Sequence, residues 1–581
     1  MKVMKIFGWT ASLLLLATTV MAVDLPQTLP RNETLYVGGL IWGPPQNFNP
    51  LNSNSSFPIS YGNKYELVYE SLFMYNQLTN EAEPLLGTKY AWDKDGLTLK
   101  IEMNTAAKFN NGKPVTAEDA AYSYMLAKTY ALPWSSYMDY IDTVTASGST
   151  VSIKMNAAKP NKLFVLDSLS WVPIVPKAVW SAIEDKAGKD GTKILGEFNA
   201  APVGSGPYKV AFYDDTRVVL IRDDTYWGKV LFGKLAAPKY LVHIIYKSND
   251  ACSNAFRNGE IDINQQFMPK IWDLWKDGKP FKTYLKNAPY YLPGMMPSII
   301  FNMTKPGIGS GADAATVRRA IGMSIDYKKI ADVAMSGYSA TVVPGIILQT
   351  PAEKALVDES KTKNLQFKYD VDGANALLDK ISTKGADGVR VLKDGTRLGP
   401  YEISCPYGWS DWNASLEIVS QSAKKIGIEI RTKFPEFPVW FNDVKNGNFD
   451  IAMWNTTAPG VAQPWDRARG MMDSSSVPPI GQPVVANNNW GRYKNARADE
   501  LIDQIPKVTD PVQLKALYTE LNTIYLTDLP TIELMYRPGS FYEVYEGVWK
   551  GLPDEKANPK NISPTPITGS FVKAFYNISS K

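Results

Sequence analysis

One histidine and two cysteines in 581 residues leave little material for metal or nucleophile chemistry. Zinc sites draw on several nitrogen or sulfur ligands, and a Ser-His-Asp arrangement needs a histidine beside its nucleophile. His243 sits inside the apolar run KYLVHIIYK, where histidine is ordinarily a packed strand residue. Cys252 and Cys405 stand far apart in sequence, so whether they pair is a geometric matter that spacing does not answer. Charge of one sign is equally scarce: 62 basic against 58 acidic residues leave +4, which favours neither nucleic acid nor an anionic membrane. The DKDG at residues 93–96 lacks the further ligands of a calcium loop, and GSGP at 204–207 lacks the Lys-Ser/Thr of a phosphate cradle. No catalytic residue, metal or cofactor is assigned.

Long apolar runs are confined to the start. Lys2 and Lys5 precede an apolar stretch from Ile6 to Val20, and Val20-Met21-Ala22 supplies small-residue cleavage context. This reads as a secretory signal peptide cut after Ala22. No cysteine follows that would carry a lipid anchor, so a freely diffusing, periplasmic protein without membrane insertion is expected.

Aromatic residues are plentiful at 12%, with 31 Tyr and 16 Trp. They concentrate where a ligand would be expected. Residues 401–454 read as strand, helix, strand, helix, strand, with Asn413 and Gly427 as the first helix's cap and stop. That order implies parallel strands, whose ligands sit beyond the carboxyl ends. Trp409 and Trp412 follow the first strand and Trp454 closes the last, beside Ser410, Asp411 and Asn455. The competing reading is core packing, since tryptophan is highly buried on average.

Earlier in the chain, an alternating strand at 35–40 leads into a loop with Trp42, Asn47, Phe48 and Asn49. KYELVYESLFMYN fits an amphipathic helix, and hairpins fit 83–103, 142–155 and 208–222. Asn264 and Gln265 end another short strand. The chain turns loop-rich around Tyr290, where a crossover to a second lobe is placed. Helices at 314–324, 326–335 and from 372 follow; then, after residue 454, comes a long loop to Asn489 carrying Trp465 and Trp490. Helices at 498–505 and 511–526 precede DLPTIELMY, read as a strand returning to the first lobe.

Taken in order, VYESLFMYN, the stretch from Glu83 to Tyr124, GSGPYKVAFYDDTRVVLIRDDTYWG, NAFRNGEIDI, AATVRRAIGMSIDYKKI, YDVDGANALLDKI and the stretch from Lys424 to Asn455 resemble the oligopeptide- and dipeptide-binding receptors of ABC importers. The resemblance implies an α/β, two-lobed periplasmic-binding-protein fold with a hinge and an extra subdomain in lobe one. Its expected divisions are a signal peptide at 1–22, lobe I at 23–62 and 200–295, the extra subdomain at 63–199, lobe II at 296–528, and a return to lobe I at 529–581. It further implies a monomeric receptor, not an enzyme, that engulfs ligand between lobes and delivers it to a membrane permease.

Peptide-binding members of that family place an aspartate just after the strand matching FDIAMW, to pair with the peptide ammonium. Here Asn455, Thr456, Thr457 and Ala458 stand there, and no carboxylate follows before Asp466. An ammonium buried without a partner is costly, whereas uncharged amides suit sugar hydroxyls. GGLIWGP, YLVHIIYKSN, PYGWSDW and KFPEFPVW also resemble the cellobiose- and mannobiose-binding branch. The expected ligand is therefore a β-linked oligosaccharide, with Trp42, Trp409, Trp412, Trp454 and Trp490 stacking and Asn47, Asn264, Asp411 and Asn455 binding hydroxyls. The alternative is an oligopeptide, its ammonium taken by Asp466 or Asp411.

Overall fold

The computed structural model describes residues 25–60, 65–276, 278–455, 459–475, 477–485, 487–565 and 569–581. The signal-peptide reading of 1–22 and residues 456–458 lie outside these.

Two mixed sheets organise the chain. In the seven-stranded sheet Thr34–Gly38 is central, parallel to both Tyr240–Ile244 and Ile263–Asn264, so Gly38 and Asn264 lie side by side at the carboxyl ends. The hairpin Tyr208–Tyr213 and Arg217–Arg222 extends one edge, and Glu543–Tyr545 with Phe281–Thr283 the other. In the five-stranded sheet Tyr401–Ser404 runs parallel to Ile430–Lys433 and Ile451–Asn455, as the alternation of strand and helix requires. Ile299, Ile403, Ile451 and Met453 are fully buried there. A four-stranded antiparallel sheet, formed by strands from Gly87–Trp92 to Thr150–Met155, falls within 63–199.

The chain passes between the two large sheets twice. Phe281–Thr283 belongs to the seven-stranded sheet and Pro297–Phe301 is a central strand of the five-stranded one, so the chain passes from sheet to sheet between them. DLPTIELMY is a strand, but Thr531–Glu533 pairs with Pro297–Phe301 and has not yet returned. The return comes at Glu543–Tyr545. The crossing segments bind each other: Met295 N donates to Arg537 O and Arg537 N to Met295 O, both at 3.0 Å.

Three local expectations fail for physical reasons. From Tyr65 onward KYELVYESLFMYN is not a helix. Leu67, Val68, Tyr69 and Leu72 are all buried, so no polar face exists. Its carbonyls instead accept from distant segments: Leu67 O from Tyr208, Val68 O from Gly206 and Glu70 O from Ile174. Phe73–Asn76 is a strand paired with Glu81–Pro84. The helix after Tyr401–Ser404 begins at Ser410, one turn before Asn413, whose Nδ2 donates back to Pro406 O (2.9 Å) and Cys405 Sγ (3.0 Å). The long loop after Trp454 contains a helix, Trp465–Met472. Cys252 and Cys405 are buried free thiols, their acidity suppressed by burial.

Candidate ligand-binding site

Loops leaving the carboxyl ends of the two sheets meet. After Gly38 the backbone turns through left-handed Gly39 (φ 104°) and Leu40 (φ 70°), delivering Trp42. A left-handed leucine is a strained choice that the surrounding structure must hold. From the other sheet, Gly408 (φ 78°) lets the loop after Ser404 lie against the first lobe, since a Cβ there would stand 2.7 Å from Lys247 O. Asn249 fastens the contact: its N–H donates to Gly408 O at 3.0 Å and its Nδ2 to Ser410 Oγ at 3.0 Å. Trp409 is thereby held at the seam, 5.2 Å from Trp42 between ring centroids with the planes tilted by 40°.

The rings continue into the second lobe. Trp409 meets Trp412 edge-on at 4.9 Å and stacks with Phe437 at 5.7 Å and Trp454 at 6.1 Å. Trp454 contacts Trp440 and Trp490, each at 5.3 Å, and Phe441 at 5.7 Å. Trp42, Trp409, Phe437 and Trp454 are half-buried, whereas Trp412, Trp440 and Trp490 are buried. Past Phe441 and Trp490 the seam opens into a cavity of about 380 Å³, with Asn52 and Leu132 on one side and Lys445 and Asn487 on the other. Burial lowers the Lys445 pKa.

Several polar atoms here have no protein partner. Trp409 Nε1, Trp412 Nε1 and Asn455 Oδ1 are buried and unbonded. Trp440, by contrast, donates to Ser404 Oγ at 3.1 Å. A buried polar atom without a partner costs about 1–3 kcal/mol unless a water or another group supplies the bond.

The other predicted residues have duties within the protein. Asp411 is fully buried and its Oδ2 accepts from Arg537 Nε at 2.8 Å, while Oδ1 accepts from Asn249 at 3.3 Å. The same guanidinium lies over the rings of Phe541 (4.6 Å) and Trp412 (5.9 Å). Asp466 is paired with Arg469 at 2.8 Å. Asn264 is fully buried, donating to Glu543 Oε2 (2.5 Å) and accepting from Cys252 Sγ (3.1 Å) and Gln266 N (3.2 Å). Asn47 closes its own turn by accepting from Asn49 N at 3.0 Å. These asparagines and Asp411 are thus occupied, which strand-end position alone could not reveal.

Phe437 and Phe441 join the cluster without having been singled out. The spacing in FPVWF, four residues apart on the helix Phe437–Asn446, was the available signal. Arg537 had none, because it meets Asp411 across 126 residues of chain.

Residues 81–475 match the bacterial extracellular solute-binding proteins, family 5, middle region. Among solved structures, a periplasmic oligopeptide-binding protein from Thermotoga maritima with bound mannohexaose superposes with a TM-score of 0.85 at 28% identity, over 95% of this chain and all of that one. A second structure of that protein gives 0.80. The oligopeptide-binding protein AppA of Bacillus subtilis, in complex with a nonapeptide, gives 0.72 at 19% identity over 91% and 97% of the two chains, a likeness of fold. The periplasmic oligopeptide-binding protein OppA of Escherichia coli is 24% identical over 76% of this chain and 77% of its own. Two α/β lobes meeting at their strand ends, and a family match over most of the chain, lead to one conclusion: the protein belongs to the family 5 bacterial extracellular solute-binding proteins, receptors that serve ABC importers.

Proposed function

We propose that this receptor closes its lobes on a β-linked oligosaccharide of the cellobiose or mannobiose kind and passes it to an importer permease without altering it. The observation that carries the reading is the half-buried ring set at the seam, Trp42 from one lobe and Trp409, Phe437 and Trp454 from the other, with unpaired indole N–H groups beside it. An indole face covers the apolar C–H face of a pyranose. About 80 Å² of carbon buried on one ring contributes roughly 2 kcal/mol. Two or three such faces with hydrogen bonds reach micromolar affinity after association costs.

Charge supports the same reading. Both carboxylates that would serve a peptide ammonium, Asp411 and Asp466, are neutralised by arginines. The Thermotoga maritima relative, 28% identical, has been crystallised with a mannose oligosaccharide. Crossing segments bound at Met295 and Arg537 supply the hinge, and ligand entry parts Trp42 from Trp409.

Calorimetric titration of the mature protein with cellobiose, laminaribiose, mannobiose and a mixed peptide pool tests this. Binding of at least one disaccharide is expected; binding of peptides alone reverses the assignment. Prolonged incubation with cellotetraose is expected to return it unshortened.

A further inference from the structure

Beyond the tryptophans, two glutamines at the foot of the first-lobe loop have no assigned purpose. Gln265 and Gln266 follow Ile263–Asn264 at the carboxyl end of the seven-stranded sheet, next to Gly38. Both are 2% exposed. Their backbones are well served, with Gln265 N donating to Gly38 O at 2.9 Å and Phe541 N to Gln265 O at 3.3 Å. Their side chains are not. Gln265 Oε1 and both polar atoms of Gln266 are buried without a partner, and Gln265 Nε2 reaches only Ser540 Oγ, at 3.5 Å.

The stems are fixed while the amides stay free. A Cβ on Gly39 would fall 2.8 Å from Gln266 Cγ and 3.0 Å from Gln265 Cβ, so glycine at 39 lets the loop settle on both stems. That loop carries Trp42 three residues on, and the return segment that holds Gln265 also carries Arg537, the partner of Asp411 beside Trp412. The glutamines therefore share two backbone supports with the ring set. Like the Trp409, Trp412 and Asn455 atoms, Gln265 Oε1 and the Gln266 carboxamide are buried, unpaired and uncharged.

We propose that Gln266, steadied by Gln265, is a specificity-determining residue of the ligand site, its carboxamide donating to and accepting from adjacent hydroxyls of the bound sugar. A vicinal diol offers a donor and an acceptor at the spacing one amide presents, and a site built to hydrogen-bond a hydroxyl rejects analogues lacking it. The inference rests on the oligosaccharide reading and adds which side chain reads the hydroxyl pattern.

The test is Gln266→Met, similar in volume and apolar, titrated calorimetrically against every disaccharide the unaltered protein binds and against their monodeoxy analogues, with melting of the ligand-free protein in parallel. Expected are affinity lower by about tenfold or more, an unchanged or raised Tm, and loss of the penalty for at least one deoxy position. Unchanged affinity with a raised Tm overturns the proposal and leaves the oligosaccharide reading standing, the amide then serving only a buried water. Failure of the unaltered protein to bind any sugar overturns both. Should the methionine variant not fold, Gln266→Leu, which likewise has neither donor nor acceptor, is read by the same titration, with unchanged affinity again counting against the proposal.

Discussion

Two aromatic clusters bridge the halves of this molecule, and they differ in whether their polar edges are satisfied. Around Trp465, on the helix Trp465–Met472, the rings of Tyr140 and Phe164 pack edge-on at 5.5 and 5.1 Å, and Trp465 Nε1 donates to Ile502 O at 2.9 Å. Arg469 covers Phe164 at 4.7 Å while paired with Asp466. Both the indole N–H and the guanidinium have partners within the protein. Around Trp409 the rings are more numerous, and Trp409 and Trp412 have no acceptor for their N–H groups. Burial alone does not separate the clusters, since Trp412 and Trp465 are both nearly inaccessible. Donor satisfaction does: the Trp465 indole is paired within the fold, whereas under the proposed function the Trp409 and Trp412 indoles await a ligand.

The largest effect expected from this contrast is on stability. Trp465→Ala should cost about 3–5 kcal/mol in urea unfolding, as for large aromatics removed from a core, while the folded fraction keeps its ligand affinity. A stable variant with weakened binding would move Trp465 into the site. Trp409→Ala should do the reverse, lowering affinity by about 30-fold, the equivalent of roughly 2 kcal/mol, with a smaller change in unfolding midpoint. Equal affinity for ligand in that variant would remove the stacking role.

A buried acid whose own partners are satisfied, beside the unpaired glutamines, gives a further test. Glu543 accepts from Tyr291 and Asn264, and burial pushes its pKa from an ordinary 4.5 up to about 8. Between those values the folded state holds a proton that the unfolded state has released. The stability it contributes is complete below about pH 4.5 and is lost as pH rises through 8. Glu70 (about 8) and Glu533 (about 7), also raised by burial, act in the same direction. Glu543→Gln should therefore flatten the decline in stability between pH 5 and 8 by up to ~1.4 kcal/mol per pH unit, measured by denaturation across that range. An unaltered slope would mean the carboxyl ionises normally. The smallest effect belongs to Asp411→Asn: affinity for a neutral disaccharide should change less than about threefold, because the carboxylate faces Arg537 rather than the ligand. A loss of tenfold or more would place it in contact with the solute.

Much of the fold was legible because strong periodicities were left undisturbed. The alternation across 401–454 names three strands and two helices, and the sheet pairs them in parallel as that order demands. Where the chain is buried on every side, as from Tyr65 to Phe73, helical spacing of apolar residues is coincidental, and the hydrogen bonds to Gly206 and Tyr208 decide the conformation. The ring set at the seam was legible in part. Trp42, Trp409, Trp412, Trp454 and Trp490 come together, whereas Asn264 and Asn47 are spent on Glu543 and on a turn.

Order along the chain determined the class of fold: strand–helix alternation leads to an α/β architecture, and the ordered stretches that resemble the solute-binding receptors, rather than composition, point to a receptor. Tertiary structure alone decided which polar groups remain for a ligand. Whether an amide, carboxylate or indole is free depends on partners more than a hundred residues away, as Arg537 is for Asp411 and Glu543 for Asn264. Hydrogen bonds saturate, and only the folded arrangement shows which donors and acceptors are already taken.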